Sequence, residues 1–350
     1  MRKLNLLLLI SLVCIISSCK SKNNSDVMNN RVVVGYYSSW TEEIPDIDLL
    51  THINYAFGHV SETFDGVLID NCERLEKLVK LRSPSSNLKI LLAIGGWGSG
   101  GFSEMARSKE CRSSFANACK QIIDTLNLDG IDLDWEYPTI GTAGIEYHQS
   151  DTENFTLLVK DIRKAIGKDK LLTIASSSGA KFIDFPSIVD KIDFVNIMGY
   201  DYSVPPCHHS ALYSSELSAK RTSEFAVEAH LQAGIPADKL VLGIPFYGLA
   251  DTNKEMPYSI GYKEINNHPL LVDCKPLWDD EAKVPYYVDD KGELILSFEN
   301  AKSIAWKCEY IISKGLRGGM YWQFSQDDEN LTLSHTIYNQ LLGNPELNRN

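Results

Sequence analysis

Residues Asp129-Gly130-Ile131-Asp132-Leu133-Asp134-Trp135-Glu136-Tyr137-Pro138 alternate acidic and apolar side chains. In an extended strand, side chains two apart share a face, so Asp132, Asp134 and Glu136 form one row with about 6.6 Å between neighbours. Ile131, Leu133 and Trp135 face the other way. On the wet face of an open sheet such a row would be ordinary, so the type of sheet decides its meaning. Seven further apolar, β-rich runs accompany it: Val32–Tyr37, Ile53–Phe57, Lys89–Gly95, Leu171–Ser176, Phe194–Tyr200, Leu240–Phe246 and Gly319–Gln323. Helical periodicity falls between them at Cys72–Leu81, Glu110–Leu126, Thr152–Ile166, Ser223–Ala233 and Ala301–Lys314. Strand alternating with helix requires parallel pairing, and eight strands in one chain fit a closed (β/α)8 TIM barrel better than an open doubly wound sheet. A barrel strand has no solvated face. Three acids buried in one row are strongly unfavourable unless protons are shared and hydrogen bonds supplied. Crowding of this kind keeps a carboxylic acid protonated near neutral pH, which is what a proton donor to a leaving group needs.

About 70 residues separate the seventh and eighth runs, where a strand–helix unit takes roughly 30 to 40. The surplus, residues 249–297, contains Tyr286-Tyr287-Val288 and Leu294-Ile295-Leu296 around the turn Asp289-Asp290-Lys291-Gly292. It reads as a small α+β insertion with a hairpin, between strand 7 and helix 7 and at the mouth of the barrel. The catalytic barrel is expected over residues 31–345.

The remaining 350-residue arithmetic excludes other classes of protein. At 44% hydrophobic and 23% charged residues the chain buries a core, which rules out a disordered or collagen-like protein. With 34 Lys+Arg against 46 Asp+Glu the formal charge is -12, which repels nucleic acid. Arg2 and Lys3 precede an apolar run ending at Ile16-Ser17-Ser18-Cys19. At about 13 residues that run is too short to span a bilayer and has the order of an export signal. Its end resembles the lipobox of bacterial lipoproteins. Residues 1–18 are therefore expected to be removed, Cys19 to be acylated, and residues 19–30 to form a polar tether. The mature chain is then exported and held at a membrane, periplasmic or cell-surface facing, by its lipid alone. Six cysteines remain, Cys72, Cys111, Cys119, Cys207, Cys274 and Cys308, and they fit no zinc spacing. Cys111 and Cys119 fall on one expected helix about 12 Å apart, too far to pair. Cys207-His208-His209 reads as a polar loop rather than a metal site. No metal or cofactor is expected, and the chain is expected to be a monomer.

Asp129-x-x-Asp132-x-Asp134-x-Glu136 resembles the signature of glycoside hydrolase family 18, the chitinases and their relatives. Further stretches agree in order along the chain: Gly35-Tyr36-Tyr37, Asn54-Tyr55-Ala56-Phe57, Ile94-Gly95-Gly96-Trp97, Met198-Gly199-Tyr200-Asp201, Gly243-Ile244-Pro245-Phe246-Tyr247-Gly248 and Gly319-Met320-Tyr321-Trp322. The likeness runs from about Arg31 to Leu342. It implies a retaining hydrolase of β-1,4-linked N-acetylglucosamine chains in which the sugar's own 2-acetamido group is the nucleophile. Glu136 is then the acid and base, and Asp134 holds the acetamido N–H. Asp132 shares a proton with Asp134, and Tyr200 orients the acetamido oxygen. Asp201 contacts the same sugar, Trp322 forms the floor beneath it, and Tyr36, Phe57, Gly96, Trp97, Tyr137 and Met198 complete the expected substrate-binding set. Trp40 and Trp278 are further stacking candidates. Where many relatives carry Ser two residues before the Gly-Gly pair, this chain has Ala93, so Asp132 is expected to lean mainly on Tyr36. Two other readings compete: an endo-β-N-acetylglucosaminidase acting on N-glycan cores, and a non-catalytic chitin- or glycan-binding protein. The presence of Glu136 argues against the second.

Overall fold

The computed structural model describes residues 31–83, 86–254 and 256–343. The expected signal, lipidation site and tether, residues 1–30, lie outside them. The elements in chain order are β1 (Val32–Ser38), β2 (His52–Val60), β3 (Val67–Ile69), α1 (Cys72–Leu81), β4 (Lys89–Gly95), α2 (Phe102–Arg107), α3 (Lys109–Thr125), β5 (Gly130–Asp134), α4 (Asp151–Ile166), β6 (Leu171–Ser176) and β7 (Val195–Ile197). There follow α5 (Ser223–Gln232), β8 (Leu240–Pro245), β9 (Tyr247–Ala250), β10 (Ser259–Gly261), α6 (Tyr262–Ile265), β11 (Lys275–Asp279), β12 (Val284–Val288), β13 (Leu294–Ser297), α7 (Ala301–Ser313), β14 (Gly318–Trp322) and α8 (Thr332–Leu341).

Eight strands pair in parallel in the order β1, β2, β4, β5, β6, β7, β8, β14, and β14 returns to β1, closing the barrel. The strands are buried on both faces, as β4 shows with Ile90-Leu91-Leu92-Ala93-Ile94 all at 0% exposure. Their outer side chains meet the helices: Leu158, Val159 and Ile162 of α4 and Phe115 and Cys119 of α3 share one core with Ile131 and Leu133 of β5. The helices begin where side chains take up their free N–H groups. Ser108 accepts from Cys111 before α3, Thr222 accepts from Phe225 before α5, and Asn300 forms a reciprocal cap with Ser303 before α7.

Several elements depart from the pattern read in the sequence. The crossovers after β1 and β6 carry only short 3-10 turns, Ile47–Leu49 and Phe185–Ser187. The strand expected over Phe194–Tyr200 shortens to β7 because a Cβ on Gly199 would lie 2.2 Å from the Gly243 carbonyl; the backbones converge there and the chain leaves the ladder. Two helices had no clear periodic signal. In α2, buried Ser103 breaks the apolar stripe. In α8, Thr, His and Asn lower helix propensity, and the helix is held instead by Asp327 and Asp328, whose carboxylates accept from the N–H groups of Thr332, Leu333 and Ser334. All six cysteines among the described residues are free thiols.

Between β8 and α7, β9 to β13 form an antiparallel sheet in the order β10, β9, β13, β12, β11. It starts at Tyr247, two residues earlier than the surplus segment suggests, and contains the hairpin, with Tyr287 opposite Leu296 and Val288 opposite Leu294. The loop from β7 to α5 docks against it. Buried Lys307 of α7 binds the Ser210 carbonyl at 2.6 Å and pairs with Glu299, which also accepts from the Ser210 hydroxyl at 2.5 Å. Both charges are fully enclosed, so removing one partner strands the other. Lys307→Met is expected to destabilise the protein by about 3–5 kcal/mol in urea unfolding, and Lys307→Met with Glu299→Leu to recover most of that loss.

Candidate active site

The acid row begins inside the barrel. Asp132 is completely buried and has three donors: the Tyr36 hydroxyl at 2.5 Å, the Thr173 hydroxyl at 2.5 Å and the Asn196 amide at 3.0 Å. Ala93 does stand beside Asp132 in the β4–β5 register and offers nothing. Tyr36 is nevertheless not the main remaining partner, because β6 and β7 each supply another donor. Thr173 lies in register with Asp132, so the signal for it was a polar residue at an inward position of an otherwise apolar strand. Burial raises the Asp132 pKa, and these donors act against that rise.

Asp134, one row nearer the mouth, is 6% exposed and its Oδ1 has no hydrogen-bond partner. Burial first, then the fields of Glu136 and Asp132, push its pKa well above the ordinary value. Donors therefore favour the charge on Asp132, and the lack of them on Asp134 Oδ1 favours the proton there. Glu136 lies two residues past the end of β5 rather than on it. Burial raises its pKa to about 7, a hydrogen bond from Tyr137 opposes the rise, and the negative charge of Asp201 adds to it.

The mouth is lined from several strand ends. Trp322 at the end of β14 stacks on Phe57 with 5.6 Å between ring centres and tilts against Tyr36 at 5.5 Å. The chain bends at Gly95 (φ 126°) and Gly96 (φ 93°), where a Cβ would meet the Asp134 carbonyl at 2.0 Å and the Phe57 ring at 2.7 Å. Only glycine lets β4 come that close to the acid row and the Phe57 ring. A cavity of about 280 Å³ is lined by Asp134, Glu136, Tyr200, Asp201, Trp322 and Tyr247, together with Phe57, Met198, Trp40 and Trp97. Two larger cavities flank it. One, of about 540 Å³, includes Trp40, Phe57, Gly96 and Trp97. The other, of about 690 Å³, includes Glu136, Tyr137, Phe182, Arg221 and Tyr258. Trp97 borders all three, so together they form one cleft across the barrel mouth.

Most of the residues expected to bind substrate line this cleft. Tyr36 lies beneath it, 2% exposed, with its hydroxyl on Asp132. Trp278 is not in the cleft; it is on β11 with the Lys302 ammonium 3.7 Å from its ring centre. Phe182, stacked on Tyr137 at 5.4 Å, and Tyr258 of the insertion went unread because both sit in irregular segments without a motif. Cys207-His208-His209 lies in a loop whose two histidines are fully buried, and His208 bonds Asp279 at 3.1 Å and Ser297 at 3.2 Å. Among the described residues no cluster of metal-ligating side chains occurs.

A buried carboxyl poised near neutrality at the mouth of an eight-stranded barrel, in an aromatic cleft, is the arrangement of a glycoside-cleaving acid. The family model for glycosyl hydrolases family 18 matches residues 32–327, and the chain belongs to that family. Chitinase A1 of Niallia circulans is 30% identical over 87% of this chain, and the match spans 58% of that relative's length. Chitotriosidase-1 of Mus musculus is 32% identical over 81% of this chain and 68% of its own. Among solved structures, a family 18 N-acetylglucosaminidase from Paenibacillus barengoltzii superposes with a TM-score of 0.79 at 31% identity, covering 89% of this chain and 100% of that one.

An acid must be protonated to work, so the rate should be full below the Glu136 pKa and fall as pH rises through about 7. Asp201→Asn removes a negative charge that favours the proton. The descending limb of kcat/KM against pH should therefore move to lower pH in that variant.

Proposed function

We propose that this protein is a chitinase that hydrolyses β-1,4-linked N-acetylglucosamine polymers and oligomers by a substrate-assisted, retaining mechanism. The observation that carries the reading is the setting of Asp134, buried between Asp132 and Glu136 with no hydrogen-bond partner on Oδ1. Burial and the two neighbouring acids raise its pKa, and a carboxyl biased toward its protonated form is a poor nucleophile but a good hydrogen-bond partner. With Asp134 uncharged next to the acid Glu136, the attacking group is best supplied by the sugar itself, as its 2-acetamido oxygen.

In this mechanism Glu136 protonates the glycosidic oxygen while the acetamido oxygen attacks the anomeric carbon. Asp134 receives the acetamido N–H and steadies the positive charge that develops on the resulting oxazolinium ring. Tyr200, which lines the same cavity, holds the acetamido oxygen in line. Behind Asp134, Asp132 shares its proton, and its three donors favour the charge on its side of the pair. Water activated by the Glu136 carboxylate then opens the ring with retention. The flat faces of Trp322 and Phe57 suit the C–H face of a pyranose, and open cavity on both sides of Glu136 supports binding of sugars on either side of the cleaved bond.

Glu136→Gln is expected to lower kcat on soluble N-acetylchitooligosaccharides by about 10²–10⁴-fold with little change in binding. The parent enzyme is expected to release the β-anomer and to leave de-N-acetylated scissile units intact. Inverted product, or equal rates on de-N-acetylated chains, contradicts the mechanism. Release of glycans from a glycoprotein but no cleavage of chitin oligomers would favour the N-glycan-core enzyme instead.

The reading extends to an exported, lipid-anchored monomer, supported by the charged-then-apolar start of the chain and by Cys19. In a bacterial host Cys19→Ala should abolish incorporation of labelled fatty acid and move the protein from the membrane fraction to the soluble one.

A further inference from the structure

His209 lies in the loop between β7 and α5 and takes no part in the mechanism above. It is fully buried, yet neither ring nitrogen has a hydrogen-bond partner. Burying an imidazole in this way is unfavourable unless its surroundings use it. The backbone that carries the ring is held in place from two sides. Its own carbonyl accepts from the Tyr202 N–H at 3.0 Å, and its N–H donates to the Ser297 hydroxyl of β13 at 3.4 Å. Its neighbour His208 is tied to Asp279 of β11 and to the same Ser297. The imidazole is thus fixed between the Asp201 loop and the insertion sheet.

The carboxylate it meets is Asp201, whose Oδ1 lies 3.6 Å from His209 Nδ1. That same oxygen accepts from the Tyr247 hydroxyl at 2.6 Å, and the Tyr247 ring packs on His209 with centroids 5.4 Å apart. Asp201 needs such restraint. It has a left-handed backbone (φ 55°) and a side chain that is 50% exposed, so without partners it can swing into solvent. The charged and titratable groups around Asp201 are Glu136 and Tyr137 after β5, its chain neighbour Tyr200, and Tyr247 and Tyr258 from the insertion. His209 is the imidazole among them. A movement of a few tenths of an ångström brings its ring nitrogen within hydrogen-bond range of Asp201.

We propose that His209 is a positioning residue: its buried imidazole, with Tyr247, keeps the Asp201 carboxylate turned toward Glu136, so that the insertion sheet helps to set the protonation of the acid. This rests on the reading of Glu136 as the proton donor. Loss of His209 leaves Asp201 held by Tyr247 alone, its average charge moves away from Glu136, and the acid loses its proton at lower pH.

The experiment compares kcat and KM across pH for His209→Met and His209→Asn, each in the parent and in the Asp201→Asn background, on a chromogenic N-acetylchitooligosaccharide. His209→Met should move the descending limb of kcat to lower pH by about half a unit, a fraction of what a full charge a few ångströms away exerts, with KM little changed. His209→Asn keeps a donor and should lie close to the parent. In the Asp201→Asn background the Met substitution should move the limb no further. A limb that stays in place or rises in His209→Met, or that shifts equally in both backgrounds, overturns the proposal.

Imidazole ¹⁵N resonances of His209 in the parent and in Asp201→Asn provide a second readout, independent of whether the Met variant folds. They must differ if the ring faces that charge, and identical spectra also overturn the proposal. A protein that cleaves no N-acetylchitooligosaccharide refutes the chitinase reading, while the resonances still decide the contact.

Discussion

Three carboxyl groups two residues apart, two on β5 and one just past its end, cannot all be ionised, and the chemistry of the site follows from how the barrel resolves that conflict. The solution is graded from the interior to the mouth. Asp132 is the deepest and has three donors, so it can hold a charge. Asp134 is nearly as deep and has none on Oδ1, so its protonated form is favoured. Glu136 reaches the cleft, where burial raises its pKa to about 7. The gradient arises from burial and from the unequal supply of donors along one short strand.

That gradient depends on barrel closure. Because β1, β6 and β7 are all within reach of the β5 interior, Tyr36, Thr173 and Asn196 converge on one carboxylate from three separate parts of the chain. An open sheet would leave one side of the row to water, which would ionise all three acids and remove the reason for any of them to stay protonated. Gly95 and Gly96 serve the same end, since their lack of a Cβ lets β4 and Phe57 close over the row.

The insertion contributes to the electrostatics as well as to the shape of the cleft. Tyr247, on its first strand, binds Asp201, the one outer carboxylate whose field acts on Glu136. Ser297 and Asp279, from two other strands of the same sheet, fix the histidine pair behind it. The buried Lys307–Glu299 pair ties the base of that loop to α7. A segment that looks like an appendage to the barrel is therefore joined by a continuous polar network to the group that modulates the acid.

The sequence alone determined that the acids share a face, that eight strands alternate with helices, and that a hairpin-bearing segment interrupts the last units. These features were legible because side-chain alternation and helical period are properties of the local backbone, the same wherever a segment lies in the fold. Only the tertiary structure decided which acid receives the donors that favour its charge, where two helices give way to 3-10 turns, and that His208 and His209 are buried against the insertion. Those outcomes depend on register and burial between segments far apart in the chain. Thr173 is 41 residues from Asp132, and Ser297 is 89 from His208. No local pattern records such a meeting, because it is set by closure of the barrel and by docking of the inserted sheet.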